Sequence, residues 1–386
     1  MPLSGATILQ VIPHLAAGGA ERTAIEVTEA LTAAGAKSLV ASKGGRLEGE
    51  LARAGGELIR IDNLPTKSPL AIRTNAGVLA KIAAERKVNL IHARSRAPAW
   101  SALWAARRMT LPFVTTYHGV YSAKGRLKRL YNSVMARGDR VIANSDFTAR
   151  HILAEHPWAN GRIVTIHRGV DIAKFSPGAI SLERKDALLK SWKLLPAPGA
   201  TILLPARLTG WKGHREAIAA AAILKTQGTG AWRMLFVGDA QGRDGYRQEL
   251  GGLISAAGLD GQVTMVGHCD DMPAAFALAD IVIAPSNQPE AFGRVAAEAG
   301  AMAVPAIGSS IGAQGEIIVD GATGLIVPPA NPEALAAAMA QLLGMGADGR
   351  RVMGEAALRR VRERFTTSAL QKATLAVYES LMGQPR

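Results

Sequence analysis

Short apolar runs alternate with amphipathic segments along almost the whole chain. Seven β-branched runs, from TILQVI to RIVTIH, occupy the first half, and six more, from TILLPAR to GLIVPP, follow a proline-flanked segment after residue 175. The segments between them, such as residues 19–34 and 70–86, repeat apolar positions at helical spacing. Short strands alternating with such helices are typical of βα units on parallel sheets. The pattern predicts two doubly wound, Rossmann-like α/β domains.

The pause near residue 175 is a natural domain boundary. We place the first domain at residues 1–174, the second at 175–365, and a C-terminal helix at 366–386. Doubly wound sheets bind ligands at the carboxyl ends of their strands, where loops lead into helix N-termini. We therefore expect the functional site in a cleft where the two domains face each other.

The composition is that of a folded globular protein. Of its 386 residues 48% are hydrophobic and 20% charged, enough for two proper cores. The single cysteine, Cys269, excludes disulfides and thiolate metal clusters and favours a reducing compartment. No window reaches the roughly 18 uncharged apolar residues of a membrane span, and the N-terminus does not resemble a signal peptide. We expect a cytoplasmic protein that meets a membrane, if at all, on the cytoplasmic face of the inner membrane.

The net charge of +14 is unevenly distributed. Residues 1–175 contain 25 Lys and Arg against 12 Asp and Glu, a balance of +13, whereas the remainder contains 20 against 19, a balance of +1. A basic half joined to a neutral half indicates that the first domain faces something anionic. Nucleic acid, phospholipid headgroups and a phosphorylated glycan all fit this charge.

Two acidic residues interrupt a stretch of small apolar residues, PEAFGRVAAEAGAMAVPAIGSS. The strand DIVIAPS before it places Glu290 at the start of the next helix and Glu298 inside that helix, roughly 12 Å further along. The helix dipole alone can explain Glu290. Glu298 lies on a mostly apolar stripe and needs a partner. That partner is either Arg294, one turn earlier, or a ligand such as a nucleotide sugar that touches both carboxylates.

The loop after the first strand of the second domain, PARLTGWKGHREA, carries two cations. Arg207 follows the strand directly and Lys212 comes just before the next helix. Two cations beside the free amides of a helix start are suited to a diphosphate. The glycine spacing is not that of a Walker A loop. The loop predicts a diphosphate contact, with two solvated surface cations as the alternative.

Two features of the first domain point to the same edge of its sheet. Gly18 and Gly19 form a turn between the first strand and its helix, where a phosphate or sugar could approach the backbone. His118 follows the strand PFVTTY and is a candidate ligand contact, although a lone histidine is often structural. The dinucleotide fingerprint G-x-G-x-x-G is absent from the first domain, which argues against a nicotinamide dehydrogenase.

Several metal-binding motifs are missing from the sequence. It contains no D-x-D pair, H-E-x-x-H or C-x-x-C. Metal-dependent chemistry is therefore not expected. We expect neither a metal nor a cofactor.

Taken together, these segments resemble family 4 of the nucleotide-sugar-dependent, retaining glycosyltransferases, which have the GT-B fold. The resemblance covers essentially the whole chain, and its most specific motif is the Glu-x7-Glu segment with Phe-Gly inside it. Weaker motifs follow in the right order: LAAGGAER, TYHG, VIANSDFTAR, RGVDIAKFSP, PARLTGWKG, LFVGDAQG and GATGLIVPP. The family's last helix crosses back to the first domain, which is what the resemblance implies for residues 366–386.

The resemblance assigns roles at the donor diphosphate and ribose. Arg207 and Lys212 would neutralise the diphosphate as catalytic cations, and Gly19 would approach it from the other domain. Glu298 would bind the ribose hydroxyls.

The resemblance also implies contacts with the transferred sugar and the base. Glu290 and His118 would contact the sugar, as would the backbone around Phe292. Base contacts would come from the backbone around Gly238 and His268. The remaining donor-binding candidates are Gly18, Ala291, Gly293 and Arg294.

The basic first domain is assigned to the acceptor, with Arg94, Arg96 and Tyr117 as candidate contacts. Two departures from the common family pattern, Arg168 in RGVD and Arg294 after EAFG, look like those of bacterial transferases that build lipopolysaccharide or other surface glycans. The resemblance thus implies metal-free transfer of a hexose, with retained configuration, from a GDP- or UDP-linked donor to an anionic glycan or glycolipid.

One stretch of the first domain suggests a membrane contact. Within residues 121–138 a helical stripe is formed by Leu127, Leu130, Tyr131, Val134 and Met135. It is either a core helix with a solvated basic face or a surface that docks on anionic lipid, with Trp100, Trp104 and Tyr121 as neighbours.

Other classes of protein remain alternatives. Within the same fold these are a nucleotide-sugar epimerase and a non-catalytic carbohydrate-binding protein. A nucleic-acid binder is suggested by charge alone, without a recognition helix or an aromatic stacking platform.

Overall fold

The computed structural model describes residues 3–16, 18–121, 125–196 and 199–383. It divides into two compact units, and each is described by itself. The first unit comprises residues 1–168 together with 367–386, and the second comprises residues 169–366.

The first unit contains a seven-stranded parallel sheet in the order β3-β2-β1-β4-β5-β6-β7. Because the order reverses between β1 and β4, this point is the switch point of a doubly wound sheet. The strands are β1 Thr7–Val11, β2 Lys37–Ser42, β3 Glu57–Arg60, β4 Leu90–Ala93, β5 Phe113–Tyr117, β6 Arg140–Ala143 and β7 Ile163–Thr165.

Helices cover both faces of this sheet. They are α1 Gly19–Ala33, α2 Glu48–Arg53, α3 Pro69–Glu85, α4 Arg96–Arg108, α5 Arg126–Asn132 and α6 Asp146–Glu155, with short 3-10 turns at Ser133–Ala136 and Pro157–Ala159. Right-handed crossovers put α1 and α2 on one face and α3 to α6 on the other. In agreement with this, α4 packs against α3 and against the turn that follows α5.

The last helix of the chain, Thr367–Met382, belongs to the first unit and packs against α1. Tyr378 is fully buried in a core with Val27 and Leu31. Its hydroxyl lies 2.6 Å from Nδ1 of His92, whose Nε2 lies 2.7 Å from the Thr116 hydroxyl. The return of the C-terminal helix to the first domain is therefore confirmed.

The second unit contains a six-stranded parallel sheet in the order β10-β9-β8-β11-β12-β13, with its switch point between β8 and β11. The strands are β8 Ala200–Pro205, β9 Trp232–Val237, β10 Val263–Gly267, β11 Ile281–Ala284, β12 Ala306–Ser309 and β13 Gly324–Val327. Their apolar side chains fill one core on each face of the sheet.

The helices of the second unit, numbered after the first six, are α7 Leu182–Ser191, α8 His214–Thr226, α9 Asp244–Ala256, α10 Met272–Ala277, α11 Arg294–Ala301, α12 Gln314–Ile317, α13 Pro332–Gly344 and α14 Gly346–Arg364; the C-terminal helix of the first unit is then α15. Two 3-10 turns lie at Pro177–Ala179 and Gly210–Lys212. Among the described helices, none combines the length and apolar character needed to cross a bilayer.

The predicted α/β fold is confirmed, since each of the thirteen apolar runs overlaps a strand in the described part of the chain. The units divide at residue 168, earlier than the boundary at 174 that we placed from sequence. The reason is a backbone hydrogen bond of 2.8 Å from Val170 N to Phe365 O, which ties this segment to the second unit.

Candidate functional site

The candidate residues of the second unit gather at its switch point. Arg207 and Lys212 lie on the loop that leaves β8, and Glu290 lies on the loop that leaves β11. These two strands are neighbours in the sheet, so their loops meet at its carboxyl edge. This is where doubly wound sheets bind their ligands.

Lys212 and Glu290 form an ion pair. The Lys212 ammonium donates to Oε1 of Glu290 at 2.7 Å, and their side chains are 14% and 11% exposed. The Ser286 hydroxyl donates to the same carboxylate oxygen. The alternative of two solvated surface cations does not hold for Lys212, because its charge is largely buried against a carboxylate.

The backbone holds the two loops together. Asn287 N donates to Trp211 O at 2.9 Å, and its side-chain amide donates to Gly210 O at 3.2 Å. Gly213, just before α8, has φ of +81°, and a Cβ there would collide with the Pro285 carbonyl. Only glycine allows this approach, so the sequence of the β8 loop fixes Lys212 beside the β11 loop.

Glu290 is not at a helix start, contrary to the sequence analysis. Helix α11 begins at Arg294, after Gly293 in the left-handed region at φ of +86°. Glu290 instead forms an isolated parallel bridge with Gly312. Phe292 is buried against Phe365 at a ring distance of 6.0 Å and anchors the turn. The Glu290 carboxylate is therefore balanced by an ammonium group and not by a helix dipole.

Glu298 and Arg294 form a salt bridge within α11. Nε of Arg294 donates to Oε1 of Glu298 at 2.7 Å, and the side chains are 43% and 13% exposed. Of the two explanations left open by the sequence, the ion pair is present in the structure. It does not by itself exclude the ribose contact, since the carboxylate has a second oxygen.

A pocket of about 480 Å³ opens at the carboxyl end of β9. Its lining is Leu208, Gly238, Asp239, Ala240, Gln241, Gly242, Asp244, Arg247, Met265 and Gly267. Gly238 has φ of +154°, and a Cβ there would collide with the Ala206 carbonyl. Arg207 is exposed and donates to Gln241 Oε1 at 3.4 Å, which places this cation at the rim of the pocket.

His268 stands beside the same pocket. Its Nε2 lies 2.9 Å from Oδ1 of Asp270, and its Nδ1 lies 3.7 Å from Oδ2 of Asp239, which lines the pocket. Sequence reasoning named Gly238 and His268 here but missed Asp239, Asp244 and Arg247. The segment GDAQGRDG directly follows β9, so the rule that ligands bind at carboxyl ends of strands could have found them.

In the first unit, Gly18 and Gly19 lie at the start of α1, beside the switch point. Gly18 caps the helix in an extended conformation. The Arg168 guanidinium donates to Gly19 O and, at 3.3 Å, to the Thr23 hydroxyl. The departure from the family pattern at Arg168 thus places a cation against the glycine turn.

His118 follows β5 at the carboxyl edge. Among the described residues neither of its buried ring nitrogens has a hydrogen-bond partner. Burial, together with the positive charges of Arg168 and Arg94, holds the pKa of His118 well below its usual value. The ring is therefore neutral at pH 7 and can both donate and accept a hydrogen bond.

The three acceptor candidates differ in accessibility. Arg94 is 2% exposed and donates to Gln10 Oε1 at 2.6 and 3.0 Å, and Tyr117 is 1% exposed. Burial raises the pKa of Tyr117. Neither side chain offers an open surface to an acceptor. Arg96 lies 4.3 Å from the Tyr121 ring centroid and donates to Asn132 at 2.9 Å.

Profiles of two protein families match the chain. Residues 17–174 match the family described as Glycosyltransferase Family 4, and residues 190–360 match Glycosyl transferases group 1. The two matches fall on the two sheets described above.

Individual relatives agree with these profiles. A glycosyltransferase structure from Rickettsia africae is 33% identical, covers 99% of this chain and all of its own, and superimposes with a TM-score of 0.91. HepE from Anabaena, in complex with UDP-glucose, is 23% identical with a TM-score of 0.82, over 97% of this chain and 100% of its own. The D-inositol 3-phosphate glycosyltransferase of Salinispora tropica is 28% identical over 259 residues, 66% of this chain. That match spans about half of its length (53%).

Proposed function

Because the chain belongs to family 4 of the glycosyltransferases and has the GT-B fold, we propose that it moves a hexose from a nucleoside diphosphate sugar to an acceptor hydroxyl. The observation that carries the proposal is the Lys212–Glu290 pair at the switch point of the second unit. In the proposal Lys212 is the cation for the diphosphate and Glu290 is the carboxylate for the sugar hydroxyls.

In this proposal the cations do most of the catalytic work. As the bond to the leaving group breaks, the diphosphate gains negative charge and the sugar becomes oxocarbenium-like. Lys212 is already held by Glu290, so it meets the developing charge with little reorganisation. Arg207, at the pocket rim, would supply the second cation, and its exposure leaves it free to turn towards the diphosphate.

The proposal also assigns the remaining donor contacts. The pocket beside Gly238 would take the base, with Glu298 at the ribose. The neutral ring of His118 would exchange hydrogen bonds with the sugar when donor is bound. A UDP-linked donor is favoured by fold-level analogy with HepE, and a GDP-linked donor is the alternative.

We further propose retention of the anomeric configuration without a metal. In this proposal Lys212 and Arg207 would do the charge neutralisation that a divalent ion would otherwise do. A phosphate oxygen of the leaving group would accept the acceptor proton on the same face of the sugar. Turnover should therefore survive EDTA, and the product should keep the donor's anomeric configuration in its NMR coupling constants.

The acceptor we propose is an anionic glycan or glycolipid of the bacterial surface, such as lipopolysaccharide core, met at the cytoplasmic face of the inner membrane. Support comes from the balance of +13 in residues 1–175. Core oligosaccharides with and without phosphate groups test this step. Equal rates on both forms would contradict it.

The test of transfer is acceptor-dependent release of nucleoside diphosphate, followed by mass spectrometry with UDP-, GDP- and ADP-hexoses. Before this assay, a thermal-shift measurement should show that one of these donors stabilises the protein. Lys212→Ala should lose turnover, whereas Lys225→Ala, an exposed lysine on α8, serves as the matched control. Two outcomes would overturn the proposal: epimerisation of the donor sugar, or binding of the donor without release of nucleoside diphosphate in the presence of any acceptor.

A further inference from the structure

The outer surface of α3, α4 and α5 carries exposed apolar side chains among cations. Leu70 is 80% exposed, Trp104 43%, Leu127 84% and Leu130 54%. These helices lie on one face of the first sheet. Soluble monomers rarely expose such a set together without a binding role. We call the surface formed by Leu70, Arg73, Trp104, Arg108, Leu127 and Leu130 the α3–α5 face.

A groove of about 570 Å³ lies between α3 and α4 within this face. Its lining combines apolar atoms with two guanidinium groups, and consists of Pro69, Leu70, Arg73, Ala76, Gly77, Trp104 and Arg108. Trp104 leans on Trp100 at a ring distance of 6.1 Å. Trp100 in turn donates to Tyr131 O of α5 at 3.1 Å, so the aromatic surface continues from the groove to α5.

The stripe predicted within residues 121–138 is divided by the structure. Helix α5 ends at Asn132, and Val134 and Met135 turn into the core through a 3-10 turn. Leu127 and Leu130 stay outside. The core alternative is thus correct for Val134 and Met135, whereas docking on lipid stays a prediction for Leu127 and Leu130.

Charge decides what this face fits. Residues 69–162 contain 16 Lys and Arg against four Asp and Glu, a balance of +12 out of the chain's +14. Within the described part of the chain Arg73, Arg108, Arg126 and Lys128 form no ion pair. The second unit also exposes single apolar side chains, such as Leu195 at 83%, but on a nearly neutral background.

We propose that the α3–α5 face docks on the surface of a lipid bilayer with anionic headgroups. Leucines and a tryptophan would enter the headgroup region, where indole rings are favoured. The unpaired cations would contact phosphate groups, and attraction to an anionic leaflet would add to the apolar contact. This deepens the proposed function, since a glycolipid acceptor lies in such a surface, but docking itself needs no donor.

The test is cosedimentation of the full chain with vesicles, without donor or acceptor. Vesicles of phosphatidylcholine with about 30 mol% phosphatidylglycerol should bind the chain, and pure phosphatidylcholine should bind at least tenfold less. Binding to the anionic vesicles should fall steeply with salt. Equal binding to both vesicles, or none to either at low salt, would overturn the proposal.

Matched variants locate the surface. Leu70→Glu and Leu127→Glu should each lower the vesicle partition coefficient about tenfold, and Leu195→Glu, of equal exposure in the second unit, should not change it. The pair Arg73→Glu and Arg108→Glu should also lower the vesicle partition coefficient. The control pair, Arg359→Glu and Arg362→Glu on α14, should leave it unchanged. If the second-unit variants lose binding and the α3–α5 variants do not, the face is wrongly placed.

Two further measurements distinguish loss of docking from loss of folding and from loss of donor binding. Far-UV circular dichroism and the donor thermal shift should be unchanged in Leu70→Glu, so loss of vesicle binding is not loss of folding or of donor binding. If a chain without any transferase activity still binds anionic vesicles through Leu70 and Leu127, the docking surface stands and the proposed function fails.

Discussion

The two units share the doubly wound arrangement of strands and helices but differ in which partners their cations have. In the second unit two cations near the switch point have carboxylate partners, Lys212 with Glu290 and Arg294 with Glu298. In the first unit Arg94, at the corresponding edge, is buried against the neutral amide of Gln10. Most of the chain's surplus positive charge lies on that unit's surface.

This difference separates two uses of charge. A cation held by a partly buried carboxylate is oriented in advance, which suits a site that must meet charge at one atom. Unpaired surface cations act over a distance and on any anionic partner. The same α/β scaffold therefore carries a site of fixed geometry in one unit and a broad basic surface in the other.

The largest effect is expected for Lys212→Ala, which removes a paired cation of the second unit. Loss of a preorganised cation should cost about 3 kcal/mol of transition-state stabilisation, roughly a hundredfold in turnover. The variant leaves Glu290 without its partner, so Lys212→Ala with Glu290→Gln is the companion that removes the unpaired charge. If both variants transfer sugar at the wild-type rate in the nucleotide-release assay, the diphosphate role of Lys212 is wrong.

A pH experiment tests the buried histidine that follows the β8 loop. Burial lowers the pKa of His214 to about 4. His214 packs against Phe236 of β9 at a ring distance of 5.1 Å. Below pH 6.5 the unfolded chain binds a proton at this histidine that the folded chain does not bind, so the free energy of opening β9 should fall by about 3 kcal/mol from pH 6.5 to pH 4. Hydrogen exchange of β9 peptides measures it. His214→Leu should flatten this dependence, and the exposed His14→Gln should not.

Removing the hydroxyl of Tyr378 tests how firmly the C-terminal helix is held on the first unit. Burial raises the pKa of Tyr378 to about 12, so the hydroxyl stays protonated. Tyr378→Phe leaves Nδ1 of the buried His92 without this partner, which should cost about 1–3 kcal/mol. Urea unfolding, monitored by hydrogen exchange of the amides in α15, measures this loss of stability. Protection unchanged from wild type would mean that packing alone holds the helix.

The smallest effect is expected at the ion pair of Arg294 and Glu298 in α11, and it tests whether Glu298 has a ligand role. If Glu298 binds ribose, Glu298→Gln should raise the donor Kd about tenfold, the value of one charged hydrogen bond. Arg294→Gln removes only the partner on the helix surface and should change the Kd less than about threefold. Calorimetric titration with donor compares the two. Equal effects would favour a structural pair without a ligand role.

Much of the fold could be predicted because local patterns decide it. Thirteen apolar runs became strands, and most of them are buried on both faces of a parallel sheet, the exceptions being edge strands such as β3 and β7. The start of α11 was misplaced because Glu290, Ala291 and Phe292 have no local signal that separates a turn from a first helical turn. A bridge to Gly312, distant in sequence, decided it.

Candidate residues were easier to name than their surroundings. Arg207, Lys212 and Glu290 were found from their places after strands, which sheet topology converts into proximity. Arg94 and Tyr117 looked equally well placed, yet both are buried. Burial depends on which side chains pack above a strand end, and composition holds no record of that.

The strands and helices, the two sheets and the concentration of charge in the first half follow from periodicity and residue type, so the amino-acid sequence was enough to predict them. The folded chain was needed to show that Lys212 and Glu290 pair, that α15 packs on the first unit, and that Leu127 is exposed while Met135 is buried. Each of these depends on contacts between segments far apart in the chain, and such contacts are set by packing, which acts only once the whole chain has folded.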